Sequence, residues 1–253
     1  MKIKEEKKRI RMKIWRLMEE RNIARFPRPV YGRIPNFIGA ERAANRLLNL
    51  NVFISADTVK VNPDSPQRSA RRLCLEWGKV VIMASPRLRS GFLLLDPKRI
   101  SPSRYDEAAT IRGAFRWGDV IKISSLPKID LMITGSVAVS SYDGARIGKG
   151  GGYAELEYGI LREYDLMDED TPIVTTVHDV QVIDRVPKEP HDLTVDYILT
   201  PTRALRVCRR GGRPVGILWD LLSEEKIAEI PILRELYNEK TGKSGKFSRG
   251  SSG

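Results

Sequence analysis

Residues 129–140 read IDLMITGSVAVS, twelve residues with no charge after Asp130, and four residues later the chain enters GARIGKGGGYAEL at 144–156. A continuous apolar run of this kind is a strand buried on both faces, and such strands need helices above and below them. Further apolar runs fall at 79–85 (KVVIMAS), 172–183 (PIVTTVHDVQVI) and 195–201 (VDYILTP), and a shorter one, NVFIS, at 51–55. Between them lie segments of helical period: residues 3–23, GAERAANRLLNL at 39–50, SPQRSARRLCLEWGK at 65–79 and YAELEYGILREYDL at 153–166. Ser-Pro opens the third of these and Gly78 closes it, which are reasonable helix start and stop signals. The alternation predicts an α/β fold in three layers, a mainly parallel sheet with helices on both faces.

The first helix carries Ile3, Ile10, Ile14, Leu17 and Met18 on one stripe, with Lys7 and Arg11 one turn apart and expected to flank it. Net charge is +12, and residues 1–33 hold twelve Lys or Arg against four Glu. Such a field draws phosphate in some form, whether nucleotide, polyanionic ligand or nucleic acid; a solvated basic helix is the plain alternative. No stretch approaches the roughly 18 uninterrupted apolar residues of a membrane span. The N-terminus lacks the apolar core and small-residue cleavage site of a secretory signal. Cys74 and Cys208 fit no zinc spacing, and the expected compartment is a reducing cytoplasm.

The glycine-rich stretch places five glycines in nine residues, Gly144, Gly148, Gly150, Gly151 and Gly152, around Arg146 and Lys149. Strand, bare backbone, helix is an arrangement that can hold phosphate. Glycine lets amide groups approach a ligand, and the next helix start adds unpaired N–H donors and partial positive charge. Arg146 can grip phosphate oxygens as a fork and Lys149 can add a point charge. The stretch lacks the Gly-Lys-Ser/Thr of a Walker loop and departs from the dinucleotide GxGxxG pattern. A surface hairpin is the alternative on local grounds.

RIGKGGGY followed by an acidic residue resembles the RLGxGGGYYD signature of the 5-formyltetrahydrofolate cyclo-ligase family, also called methenyltetrahydrofolate synthetases. KKRIR near the start resembles the family's Lys-x-x-x-Arg, and DRVPKEPHDLTVDYIL resembles its VPxxxxDxxVDxVL segment, which sets Asp192 and Asp196 at acidic positions. The resemblance covers roughly residues 3–200. It implies the three-layer α/β fold and an ATP- and Mg²⁺-dependent ring closure of 5-formyltetrahydrofolate to 5,10-methenyltetrahydrofolate. In that reaction phosphate passes to the formyl oxygen, N10 attacks the activated carbon, and phosphate leaves. The resemblance implies ATP contacts from Lys7, Arg11, Arg146, Gly148, Lys149, Gly150, Gly151, Gly152 and Tyr153, with Arg146 and Lys149 also catalytic and Glu155 and Asp192 on the metal.

The chain departs from the family pattern at Ala154, where a second Tyr is usual, and at Glu155, where Asp is usual. A glutamate expected near ADTVKVNPD is not identifiable, although Asp57 and Asp64 lie nearby. These departures fall mostly on the folate side. Residues 201–238 run beyond the family's usual end as an extension expected to pack on the 1–200 domain. Their RPVGILWDLLSEEKIAEIPIL resembles the tail of a divergent, methenyltetrahydrofolate-synthetase-domain-like branch. A helix interrupted near Pro231 is expected there, and a disordered tail over 239–253. His178 and His191 read as hydrogen-bonded structural residues. Two other function classes stay open: a non-catalytic nucleotide- or RNA-binding α/β protein, and a sugar-phosphate or coenzyme A enzyme on a similar fold.

Overall fold

Buried strands that alternate with helices stack as a sheet between two helical layers, and the computed structural model, which describes residues 2–242, adopts that arrangement. The chain opens with α1 (Lys2–Glu20), α2 (Ala40–Asn45), α3 (Asn51–Ile54), β1 (Thr58–Val61) and α4 (Arg68–Glu76). It continues through β2 (Val80–Ala84), β3 (Phe92–Leu95), α5 (Tyr105–Ala108), α6 (Ile111–Trp117), β4 (Asp119–Ile121) and β5 (Leu131–Thr134). Then come β6 (Ala138–Ser140), β7 (Arg146–Ile147), α7 (Tyr153–Glu163), β8 (Ile173–Thr176) and β9 (Val182–Ile183). The last elements are β10 (Tyr197–Leu199), β11 (Ala204–Arg206), α8 (Glu224–Glu229) and α9 (Pro231–Thr241).

Eight strands form one sheet in the order β11-β10-β8-β5-β1-β2-β3-β4. The five central strands from β10 to β2 are mutually parallel, and antiparallel β3, β4 and β11 extend the two edges. The chain builds outward from β1 to β2, then crosses back to lay β5 on the other side of β1. That reversal opens a crevice beyond the carboxyl ends of β1 and β5, where open α/β sheets place their ligands. Val59, Met83, Leu131 and Ile133 face α2–α6 on one side, while Ile82, Met132 and Ile198 face α7 and α9 on the other. A second sheet, β7-β6-β9, carries α1 on its own apolar cluster.

Two of the long apolar runs are each shared between the sheets. IDLMITGSVAVS, expected as one strand, is β5 in the large sheet and β6 in the small one, separated at Gly135–Val137; PIVTTVHDVQVI divides likewise into β8 and β9. NVFIS is a correction: residues 51–54 are the helical turn α3, with Phe53 fully buried but Ile54 48% exposed, so only one side meets the core. The strand is the next segment, TVKV, buried along its whole length despite Lys60. The tail needs correction too, because Glu239–Thr241 complete α9, and residues 243–253 lie outside the described residues.

On α1, Ile14, Trp15 and Met18 are buried, each contributing about 1.5–3 kcal/mol. Trp15 Nε1 donates to the Arg33 carbonyl at 3.0 Å, which ties the helix to the connector after it. Lys7 is only 4% exposed and Arg11 is half-buried, so both sit on the docking stripe itself and do not merely flank it. Among the described residues no helix is long and apolar enough to cross a membrane.

Candidate functional site

The crevice at the strand reversal opens into a cavity of about 1210 Å³. Asn62 and Asp64 beyond β1, Gly135 beyond β5, Arg11 of α1 and residues 146–157 all line it. Eight Lys or Arg and five Asp or Glu face the space, so it carries excess positive charge before any ligand enters.

The glycine loop crosses this cavity from β7 to the start of α7. Gly150 has φ +106° and Gly152, the residue capping α7, has φ +68°, conformations that side-chain-bearing residues rarely take. Arg11 Nε donates to the Gly148 carbonyl at 2.7 Å, and Lys226 Nζ donates to the Gly151 carbonyl at 3.0 Å. The amide groups of Lys149, Gly150, Gly151 and Gly152 donate to no protein acceptor among the described residues. With the first turn of an eleven-residue helix beside them, these donors are chemically able to receive an anion.

Arg146, 2% exposed, holds Glu155 through Nη1 and the Gly135 carbonyl through Nη2 at 3.0 Å. Its Nε is buried and, among the described residues, has no partner, an orphaned donor in the guanidinium. Such a donor normally finds water or a ligand oxygen. Lys149 reaches across the mouth to Asp64 at 2.9 Å. Burial holds the Arg11 guanidinium below its ordinary pKa, opposed by Asp192, Glu155 and Glu189, so Arg11 stands among all three carboxylates.

Lys7 Nζ lies 2.5 Å from Asp192 and 2.8 Å from Glu189, joining α1 to the segment before β10. Its hydrogen bond to Glu189, against the opposing pull of burial, keeps that carboxylate below its usual range. His191 Nε2 is 3.9 Å from Glu189 and 3.8 Å from Asp192, and one ligand atom from each of these three residues lies within 4.8 Å of the others. Asp192 therefore groups with Glu189 and His191, while Glu155 is engaged by Arg146. Glu157, also facing the cavity, pairs with the fully buried Lys60, whose ammonium also reaches Asn62 at 2.8 Å. Burial pushes the Glu157 carboxyl up, with Lys60 opposing.

The residues that the family resemblance assigned to ATP, catalysis or metal, Lys7, Arg11, Arg146, the 148–152 loop, Tyr153, Glu155 and Asp192, all line this one cavity. The surface-charge alternative for Lys7 fails on its burial. Asp196 is elsewhere: it accepts from Arg213 at 2.5 Å and Arg209 at 2.8 Å and anchors the Ile173 amide, a structural post beneath β8. His178 is structural as expected, its Nδ1 accepting from the Val180 amide at 3.3 Å. Sequence reasoning missed Glu189, Glu157, Lys60 and Lys226. The available signal for the middle pair was a lysine inside an apolar strand and a glutamate on the apolar stripe of α7.

Fold and cavity together define a doubly wound α/β protein whose glycine loop and clustered cations line one cavity at the strand reversal. The profile of the 5-formyltetrahydrofolate cyclo-ligase family matches residues 3–201, and the chain belongs to that family. It is 45% identical over 245 residues to the methenyltetrahydrofolate synthase domain-containing protein of Mus musculus, covering 95% of this chain and 65% of that protein. Against the Homo sapiens protein of the same name identity is 43% over 235 residues, covering 91% and 61%. The chain thus spans less than two-thirds of the length of these relatives. The 5-formyltetrahydrofolate cyclo-ligase of Escherichia coli is 31% identical over 85 residues, 34% of this chain and 43% of that enzyme. The solution structure of Aquifex aeolicus 5,10-methenyltetrahydrofolate synthetase shares the fold, with a TM-score of 0.51 at 19% identity over 88% of this chain and all of that one.

Proposed function

We propose that this chain is an ATP- and Mg²⁺-dependent cyclo-ligase that converts 5-formyltetrahydrofolate, or a similar reduced folate, to the 5,10-methenyl form. The observation that carries the reading is the run of unengaged amides at Lys149–Gly152, in the same cavity as Arg146 with its orphaned Nε. Phosphate oxygens are the ligand that such a set of fixed donors receives best. Membership of the family and the strand-reversal position of the cavity support the same conclusion.

In this reading the loop amides and Lys149 hold the triphosphate while Arg146 bears on the phosphoryl group moving to the formyl oxygen. Charge spreads over the transferred group, and prepositioned cations stabilise it without reorganising. Lys7 and Arg11 supply fixed positive charge from the first helix, and Tyr153 closes the loop side. The donor set also suits Mg²⁺, a hard cation bound through one or two carboxylates together with phosphate oxygens. Glu155 and Asp192, now paired with Arg146 and Lys7, would hold it, and the ion would supply positive charge to offset that of the phosphates. Ala154 removes a ring from the folate side, so the substrate faces a smaller wall there.

The test is a coupled assay on the purified chain. ATP consumption that requires 5-formyltetrahydrofolate, with methenyl absorbance appearing in step, is the expected result; folate-independent or absent ATP consumption would overturn the proposal. The nucleic-acid reading draws on the exposed outer face of α1, where Lys8, Arg9, Lys13 and Arg16 project to solvent. RNA binding that persists at physiological salt would favour it.

A further inference from the structure

The family profile ends at residue 201, yet one wall of the cavity is built by residues between 214 and 226. This segment is fixed firmly to the domain. Arg213, 5% exposed, donates to the carbonyls of Thr194, Glu169 and Thr171 at 3.1, 2.9 and 2.8 Å as well as to Asp196. Gly216 lies so close to α7 that a Cβ on Gly159 would sit 3.1 Å from its carbonyl oxygen. The Ile217 amide donates to Glu163 at 2.9 Å, and Ile217, Ile230 and Leu233 enter the core shared with α7.

That anchoring brings α8 to the glycine loop. Lys226, in the first turn of α8, donates to the Gly151 carbonyl and places its ammonium 3.8 Å from the centre of the Tyr153 ring. A peptide unit is planar and trans, so its C=O and N–H point in opposite directions. Drawing the Gly151 carbonyl towards Lys226 therefore turns the Gly152 N–H away from Lys226. Arg11 does the same at the other end of the loop, orienting the Lys149 N–H through the Gly148 carbonyl. Among the described residues neither Lys226 nor Arg11 forms a salt bridge, and each donates to a carbonyl of the loop.

We propose that Lys226 is a positioning residue of the anion site, contributed by the C-terminal extension, which pins the glycine loop so that its amides converge on a triphosphate. The inference rests on the nucleotide reading above and adds to it that the site is incomplete without residues beyond 201. The contact with Tyr153 adds a cation–π attraction and keeps the loop and the start of α7 in one geometry.

The probe is inorganic tripolyphosphate, titrated calorimetrically into the full chain and into its K226M and K226R forms, with amide hydrogen exchange over residues 148–156 monitored in parallel. Lys226 is partly exposed, and near-ultraviolet circular dichroism checks that folding is unchanged. K226M is expected to weaken binding about tenfold, the loss of one hydrogen bond from a charged donor, and to speed exchange at the loop amides. K226R is expected to restore both. Equal affinity in K226M and the unaltered chain would overturn the role of Lys226 while leaving the loop reading intact. Failure of the unaltered chain to bind tripolyphosphate would overturn the loop reading, and this inference with it.

Discussion

Arg146→Lys separates what the guanidinium does for the scaffold from what it does for chemistry. Arg146 engages two acceptors, Glu155 and the Gly135 carbonyl, and a lysine ammonium in the same space can keep one of them well. The lost hydrogen bond from a charged donor costs about 1.5–3 kcal/mol. For a chain of this size that lowers Tm by about 3–12 °C. From an ordinary stability of at least about 5 kcal/mol, the unfolded fraction then stays at a few per cent, too little to reduce activity noticeably. If Arg146 stabilises the phosphoryl group in flight, turnover should instead fall by about 10²–10³, the usual loss when one prepositioned donor is removed. Thermal unfolding and the folate-dependent ATPase assay, run on the same preparations, read both quantities. Turnover within about threefold of the unaltered chain would refute the assignment of Arg146 to the chemistry.

The ion pairs and the two thiols give further expectations. Lys7→Met should destabilise the chain most at neutral pH. Glu189 has a depressed pKa in the folded state, so its pairing energy is present above the ordinary carboxylate range and lost as pH falls through the folded value. The stabilities of the two forms should therefore converge as pH falls below the usual carboxylate range, and a difference constant with pH would contradict this. Lys60→Met should cost about 3–5 kcal/mol by stranding Glu157 in the interior, and pairing it with Glu157→Leu should recover most of that, read by urea denaturation. Burial pushes the Cys74 thiol up to about 12, whereas Cys208 is exposed. A thiol reagent should find one group in the native chain and two after denaturation; rapid native reaction at both would contradict the burial of Cys74.

Much of the fold was legible because α/β sheets bury their central strands on both faces. KVVIMAS, PIVTTVHDVQVI and VDYILTP announce β2, β8 and β10 by continuous apolarity, and the helices α1, α4 and α7 by their period. What local composition hid was set by tertiary contacts. β1 carries Lys60, a charge that looks out of place in a strand until Glu157 arrives on α7 to meet it. NVFIS has strand-forming residues, yet only Phe53 is fully buried, Val52 packs partly against the core and Ile54 is exposed. The division of two long runs between separate sheets depends on where the chain bends after Thr134 and Thr176, which apolarity does not encode.

The candidate site divides the same way. Arg146, Lys149 and the glycines declare themselves because they are neighbours in sequence, and Lys7 and Arg11 because they are one turn apart. Their partners are far away along the chain: Asp64 for Lys149, Glu189 and Asp192 for Lys7, and Lys226 for the Gly151 carbonyl. Only folding brings these together, at the point where the sheet reverses direction. The burial of Lys7 likewise depends on its two carboxylates, without which α1 could not seat a lysine on its docking face.

The central claim is that the bare backbone between β7 and α7 receives a nucleotide's phosphates. Crystals of the chain soaked with ATP and Mg²⁺ test it most directly. The triphosphate is expected along the amides of Lys149–Gly152, with an oxygen within hydrogen-bonding distance of the Arg146 Nε. A triphosphate bound elsewhere, on the outer face of α1 for example, with those amides still unengaged, would contradict it.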